Sequence, residues 1–163
     1  MTVRRSIAVA AAVLAAPVLS SCGVNFDAQT DQVYNPAVGV NDRAGTVDVL
    51  NALVVSGSPG SGTVVATLVN NDQQNADSIR GIAGAGQDSS LAVQVGGSRT
   101  IPAGGLLNLA KQGKVTVRGK QVLPGKFVEI TFSFDRAEAI TVDVPVVSHG
   151  NPDYADVKVP SGS

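Results

Sequence analysis

Between residues 126 and 147 the chain alternates apolar and polar side chains with a period of two. Val128, Ile130, Phe132 and Phe134 share one parity, Glu129, Thr131 and Ser133 the other, and Ile140, Val142, Val144 and Val146 repeat the arrangement. Successive Cβ atoms of a pleated strand point to opposite faces, so each of these segments buries one face and wets the other. Six more runs rich in Val, Ile, Leu and Thr are separated by Gly, Pro, Asn and Asp, which makes eight predicted strands: 46–56, 63–70, 78–82, 91–95, 106–109, 114–118, 126–135 and 140–147. The first two are apolar on both parities, as in central strands or strands interrupted by a bulge. No window shows a convincing amphipathic helix, and only 106–111 fits a single helical turn. The pattern predicts an all-β chain, an antiparallel β-sandwich of about eight short strands spanning 44–148. With 163 residues in all, there is room for one such domain.

The N-terminal segment has a different character. Arg4 and Arg5 precede an apolar run from Ile7 to Leu19, followed by Ser20, Ser21 and Cys22. A charged start, a short apolar stretch and a small-residue cleavage zone are the parts of an export leader, here 1–21. The run is shorter than the roughly 20 residues a membrane span needs, and Pro17 interrupts it. Ser6, Ile7 and Ala8 do not complete a twin-arginine motif after the Arg pair. Leu19-Ser20-Ser21-Cys22 resembles the bacterial lipobox, which implies diacylglycerol on the Cys22 thiol, cleavage just before it and a membrane as partner. Each buried CH₂ contributes about 0.8 kcal/mol, so two or three acyl chains would hold the chain on a bilayer. Residues 22–43 are polar and small, with Asn25, Asp27, Gln29, Asn35 and Asn41, and read as the lipidated end and its flexible tether. Residues 149–163, with Pro152, Pro160 and Gly162, read as a flexible tail.

Composition narrows the function classes. Twelve basic residues against thirteen acidic ones give a net charge of −1 with no basic stripe, which argues against nucleic acid. A single Cys forbids an internal disulfide framework, and one His with one Met, at position 1, leaves few soft metal ligands. Gly57 to Thr63 has the texture of a phosphate loop, yet it lacks the Lys and is followed by a strand where the anion would need a helix N-terminus; a hairpin fits better. Gly81, Gly84 and Gly86 lack the third spaced glycine and following helix of a dinucleotide site. His149 has no nucleophile-elbow serine to serve and reads as a loop histidine. Asp48 and Asp143 read as outward strand carboxylates in preference to a catalytic pair. Lys111, Lys114, Arg118, Lys120 and Lys126 cluster along the sequence across two strands expected to be neighbours, giving a candidate contact surface for anionic headgroups or an acidic polymer.

The second half carries a family texture. Ile101-Pro102-Ala103-Gly104-Gly105, the leucines up to Leu109, Gly113, Leu123-Pro124-Gly125, the strand Phe127 to Phe134 and the closing Val142-Asp143-Val144-Pro145-Val146 together resemble the periplasmic copper chaperones called PCu(A)C. That resemblance covers about 46–147 and implies a cupredoxin-like, immunoglobulin-like β-sandwich. It also implies a copper site of two His and two Met, one pair as His-x-Met on the strand after the Ile101 to Gly105 segment. Lys114 and Thr116 stand at those positions. An ammonium repels a cation and a hydroxyl is a hard ligand unsuited to Cu(I). The other His and Met of the family fall around 84–92, where this chain has neither. The lipobox, Tyr34-Asn35-Pro36 and the stretch Gly45 to Ala52 further resemble actinobacterial envelope lipoproteins of the Lpq type, which implies an extracytoplasmic location.

The expectation is therefore a lipid-anchored, non-catalytic binding or accessory module without a cofactor, on the outer face of the cytoplasmic membrane, with an unspecified envelope protein or polymer as partner. Two alternatives stay open: residual copper handling through His149 and nearby carboxylates, and an extracytoplasmic hydrolase.

Overall fold

The computed structural model describes residues 38–160. Ten strands follow one another: β1 Val40–Asp42, β2 Val47–Ser58, β3 Ser61–Asn70, β4 Asp77–Gly84, β5 Ala92–Gly97, β6 Thr100–Ile101, β7 Leu106–Asn108, β8 Gly113–Arg118, β9 Phe127–Phe134 and β10 Ile140–Ser148. Among the described residues the helical pieces are two 3₁₀ turns, Gly86–Asp88 and Pro152–Tyr154, and no helix is long and apolar enough to cross a membrane. The leader, Cys22 and most of the expected tether lie outside the described residues. All eight expected runs are strands; β1 and β6 are additions.

The strands lie in the order β5-β8-β3-β2-β10-β9-β4-β6, with β1 also beside β2 and β7 beside β3. Strand β10 joins the two halves of this curled sheet. From Ile140 to Pro145 it runs antiparallel to β9, and from Val146 to Ser148 it runs parallel to Val54, Val55 and Ser56 of β2. The ladders are antiparallel apart from that short parallel one. Pro145, which has no N–H to donate, marks the change of partner. The enclosed core takes residues from both halves, among them Val54, Leu68, Val117, Ile130, Phe132 and Val144.

A bulge explains why β2 is apolar on both parities. Asn51 has φ +51°, and the β2–β3 register shifts between Leu50 and Leu53. One inserted residue reverses which parity faces inward: Val47 and Val49 enter the core before it, Ala52 and Val54 after it. The Asn51 amide donates to Asn41 Oδ1 at 2.7 Å, and Val40 and Asp42 pair with Ala52 and Val49. The end of the segment expected to be a tether is thus a strand that partners the bulge.

The C-terminal segment departs from expectation as well. The His149 amide donates to the Ser56 carbonyl, the Asn151 side chain caps the turn at Pro152–Tyr154, and the Thr63 hydroxyl donates to the Lys158 carbonyl at 2.7 Å. A Cβ added to Gly57 would collide with Val159. These residues cover the outer face of β2 and β3, where Val55 and Thr63 are paired and buried although neither belongs to the main core. An apolar outer face needs a cover, and residues 156–160 supply it. The segment read as a loose tail is docked as far as residue 160.

Candidate functional site

The outer face of β8 holds the positions where the family resemblance places His-x-Met. Val115 and Val117 point into the core, which turns Lys114, Thr116 and Arg118 outward. A row crosses the sheet at this level: Val55 pairs with Thr63, Thr63 with Thr116, and Thr116 with Gln94. Residues 156–160 lie on the Thr63 side of the row, where the Thr63 hydroxyl donates to the Lys158 carbonyl. The step between segment and strand is a groove of about 470 Å³, lined by Lys111, Lys114 and Thr116 on one side and by Asp156, Lys158 and Val159 on the other.

The structure divides the five-residue basic cluster. Strand β8 pairs with β3 and β5, whereas β9 pairs with β10 and β4, so the two strands are not neighbours. Lys111 and Lys114 share the groove. Lys126 instead lines a separate cleft with Asp88, Glu129 and Asp143, beside Phe127, a residue 64% exposed. Lys120 sits exposed in the turn after β8. Arg118 lies two residue pairs from Thr116 along the β5–β8 ladder, opposite Ala92. The groove gains a lysine that sequence reading assigned to the tail, Lys158. Its trace in the sequence is the alternation Val157-Lys158-Val159 before Pro160, a strand-like pattern overshadowed by the prolines and glycine around it.

The remaining candidates occupy different surroundings. Asp48 is on the outward face of β2, between core-directed Val47 and Val49, yet it is covered there: it is 7% exposed, accepts from Asn71 Nδ2 at 2.9 Å and faces Arg43 at 3.9 Å. Asp143 is exposed opposite Glu129, so the two aspartates have separate partners. His149 is half-buried beyond the end of β10, and the neighbouring Ser148 hydroxyl accepts from the Gly150 amide at 3.1 Å. Gly57 to Thr63 spans the β2–β3 hairpin, whose two-residue turn is Pro59-Gly60 with Gly60 at φ +85°. In the 84–92 region the turn at Gly86–Asp88 serves the fold, since Asp88 Oδ2 accepts from the Glu129 amide at 2.9 Å. Among the described residues no group of three or more His, Cys, Asp or Glu side chains converges on a point that would hold a metal ion.

A polar end of the sheet completes the electrostatics. Asp72 accepts from the Gln74 and Asn75 amides and from Asn75 Nδ2. These hydrogen bonds, with that of Gln74 foremost, hold its carboxyl below the ordinary value. Buried Asp77 accepts from the amides of Ser78, Arg136 and Ala137 at 2.7, 3.1 and 2.8 Å, tying the β9–β10 turn to the start of β4.

No protein-family model and no curated protein matches this chain. Solved structures do. The chain is similar to a copper-bound PCuAC domain from PmoF2, with 18% identity and a TM-score of 0.55 over 67% of this chain and 98% of that one. It is similar to an apo PCuAC domain from PmoF1, with 15% identity and a TM-score of 0.54 over 67% and 99%. An apo PmoF2 PCuAC domain gives 17% identity and a TM-score of 0.54 over 67% and 95%. At such identities the likeness shows the fold. The described chain has a PCuAC-like, cupredoxin and immunoglobulin-type β architecture.

Proposed function

We propose that this chain is a lipid-anchored, extracytoplasmic, non-catalytic module that binds a ligand or partner in the bacterial envelope, on a copper-chaperone-like fold whose copper ligands have been replaced. One observation carries the reading: the outward positions of β8 that the resemblance aligns with His-x-Met hold Lys114 and Thr116. Cu(I) selects thioether and imidazole donors, and neither an ammonium nor an alcohol offers such a lone pair at neutral pH. The donors present do not fit a soft ion, although a solved relative in fold is copper-bound. The Arg4-Arg5 leader and the lipobox-like Leu19 to Cys22 support export and anchoring.

Two measurements test it. Calorimetry with Cu(I) and with Cu(II) is expected to show no stoichiometric uptake; tight binding would overturn the loss of the site. Mass spectrometry of the processed N-terminus is expected to find diacylglyceryl on Cys22, and a free thiol there would overturn the anchor.

A further inference from the structure

We propose that the groove between β8 and residues 156–160 binds a monomeric organic anion with an apolar tail, its carboxylate or phosphate held by Lys111, Lys114 and Lys158. The proposal deepens the binding-module reading above and rests on it.

The chain as a whole is slightly acidic, yet this one groove gathers three lysines against a single carboxylate, Asp156. None of the three lysines is ion-paired within the described residues. Like charges brought together without a counterion repel one another, and an anion in their midst relieves that repulsion. The lysines come from separate pieces of chain, the β7–β8 turn, β8 and the C-terminal segment, so their charges approach from two sides. Thr116, half-buried between the two walls, adds a hydroxyl able to donate to the same anion. The rest of the lining is largely apolar, with Leu109, Ala110, Val159 and Pro160. A volume of about 470 Å³ falls in the range of small-molecule sites. A flat bilayer face would meet exposed lysines on a convex surface; here they border a recess with an apolar side, which suits one acyl-bearing anion.

The test is a fluorescence titration with 11-(dansylamino)undecanoic acid, using the full-length chain bearing Cys22→Ser so that no acyl group of its own competes. Saturable one-to-one binding is expected, weakened by added salt. Lys114→Gln and Lys158→Gln should each weaken it roughly tenfold, the scale of one charge-assisted hydrogen bond. Asp156→Asn should tighten it, and Lys120→Gln should leave it unchanged. Circular dichroism melting of each variant checks that the fold persists. The proposal fails if the probe does not bind, if the corresponding primary alcohol binds as well as the acid, if Lys114→Gln combined with Lys158→Gln binds like the parent, or if the lysines matter only for vesicles of anionic phospholipid. Failure of the wider reading looks different: tight copper uptake overturns that reading whatever the probe does, and absent probe binding without copper uptake overturns this proposal alone.

Discussion

Asp77 is the most exacting test of how the β9–β10 turn is fastened to β4. The residue is 5% exposed and its carboxylate accepts three amides, two of them from Arg136 and Ala137, about sixty positions away in the sequence. Asp77→Ala removes the acceptor and leaves those amides facing a methyl group in a largely dry site. A hydrogen bond to a charged group contributes about 1.5–3 kcal/mol, and each buried donor left unmade costs about 1–3 kcal/mol. The terms overlap, and water will reach the Ser78 amide first, so the expected loss is about 2–5 kcal/mol. Against a total stability of about 5–15 kcal/mol this is a large fraction. Asp77→Asn keeps the shape and one carbonyl acceptor, so its loss should be about half as large. Urea unfolding followed by circular dichroism measures both, and the Ala variant should melt about 5–15 °C lower. A shift in the Ala variant below about 0.5 kcal/mol, the size of an ordinary surface change, would refute the idea that this carboxylate clamps the β9–β10 turn to β4.

Two further outcomes follow from hydrogen bonds at the edges of the sheet. Because the Asp72 pKa is depressed in the folded chain, its contribution is present above the ordinary value of 3.8 and fades as pH falls through the lowered one; the stability gap between wild type and Asp72→Ala in urea melts should therefore shrink as pH is taken below 3.8, and a gap independent of pH would contradict this. Thr63→Val deletes the bond to the Lys158 carbonyl at almost constant shape and should cost about 1 kcal/mol, with faster proteolysis confined to the last ten residues or so; unchanged proteolysis would show that the segment is held by other means.

Much of the fold was legible because burial on one face leaves a period of two that no other element imitates. Strands β9 and β10 show this in Phe132, Phe134, Val142 and Val144, all inward. Where the physics is not periodic, sequence reading failed. The three residues of β1 are too few to display alternation, and their role depends on Asn51, whose unusual φ no local pattern announces. Asp48 looked like a solubilising carboxylate because its partners, Arg43 and Asn71, approach it only after β2 and β3 have paired. The basic cluster was contiguous in sequence, but topology sends β8 and β9 to different halves of the sheet. The groove is illegible in the sequence for the converse reason, since Lys158 lies some forty residues beyond Lys114 and the two meet only through the packing of one short segment.

That packing has a cause in β2. The Asn51 bulge reverses parity so that both halves of a long apolar strand face the core, and the same reversal leaves Leu53 and Val55 on the outer side, wholly buried there. An outer face of this kind needs a second layer, and among the described residues the C-terminal segment lies over it. Residues 156–160 meet the sheet at Gly57 and Thr63, beside buried Val55, whereas the outer side chains of β8 are polar. The groove is the edge of that cover. Its β8 wall is fixed by core-directed Val115 and Val117 and its other wall by the Thr63–Lys158 bond and Val159 against Gly57, while Lys111, Lys114 and Lys158 border it. On the proposed function, such a scaffold exchanges one ligand chemistry for another at β8 while its architecture stays the same.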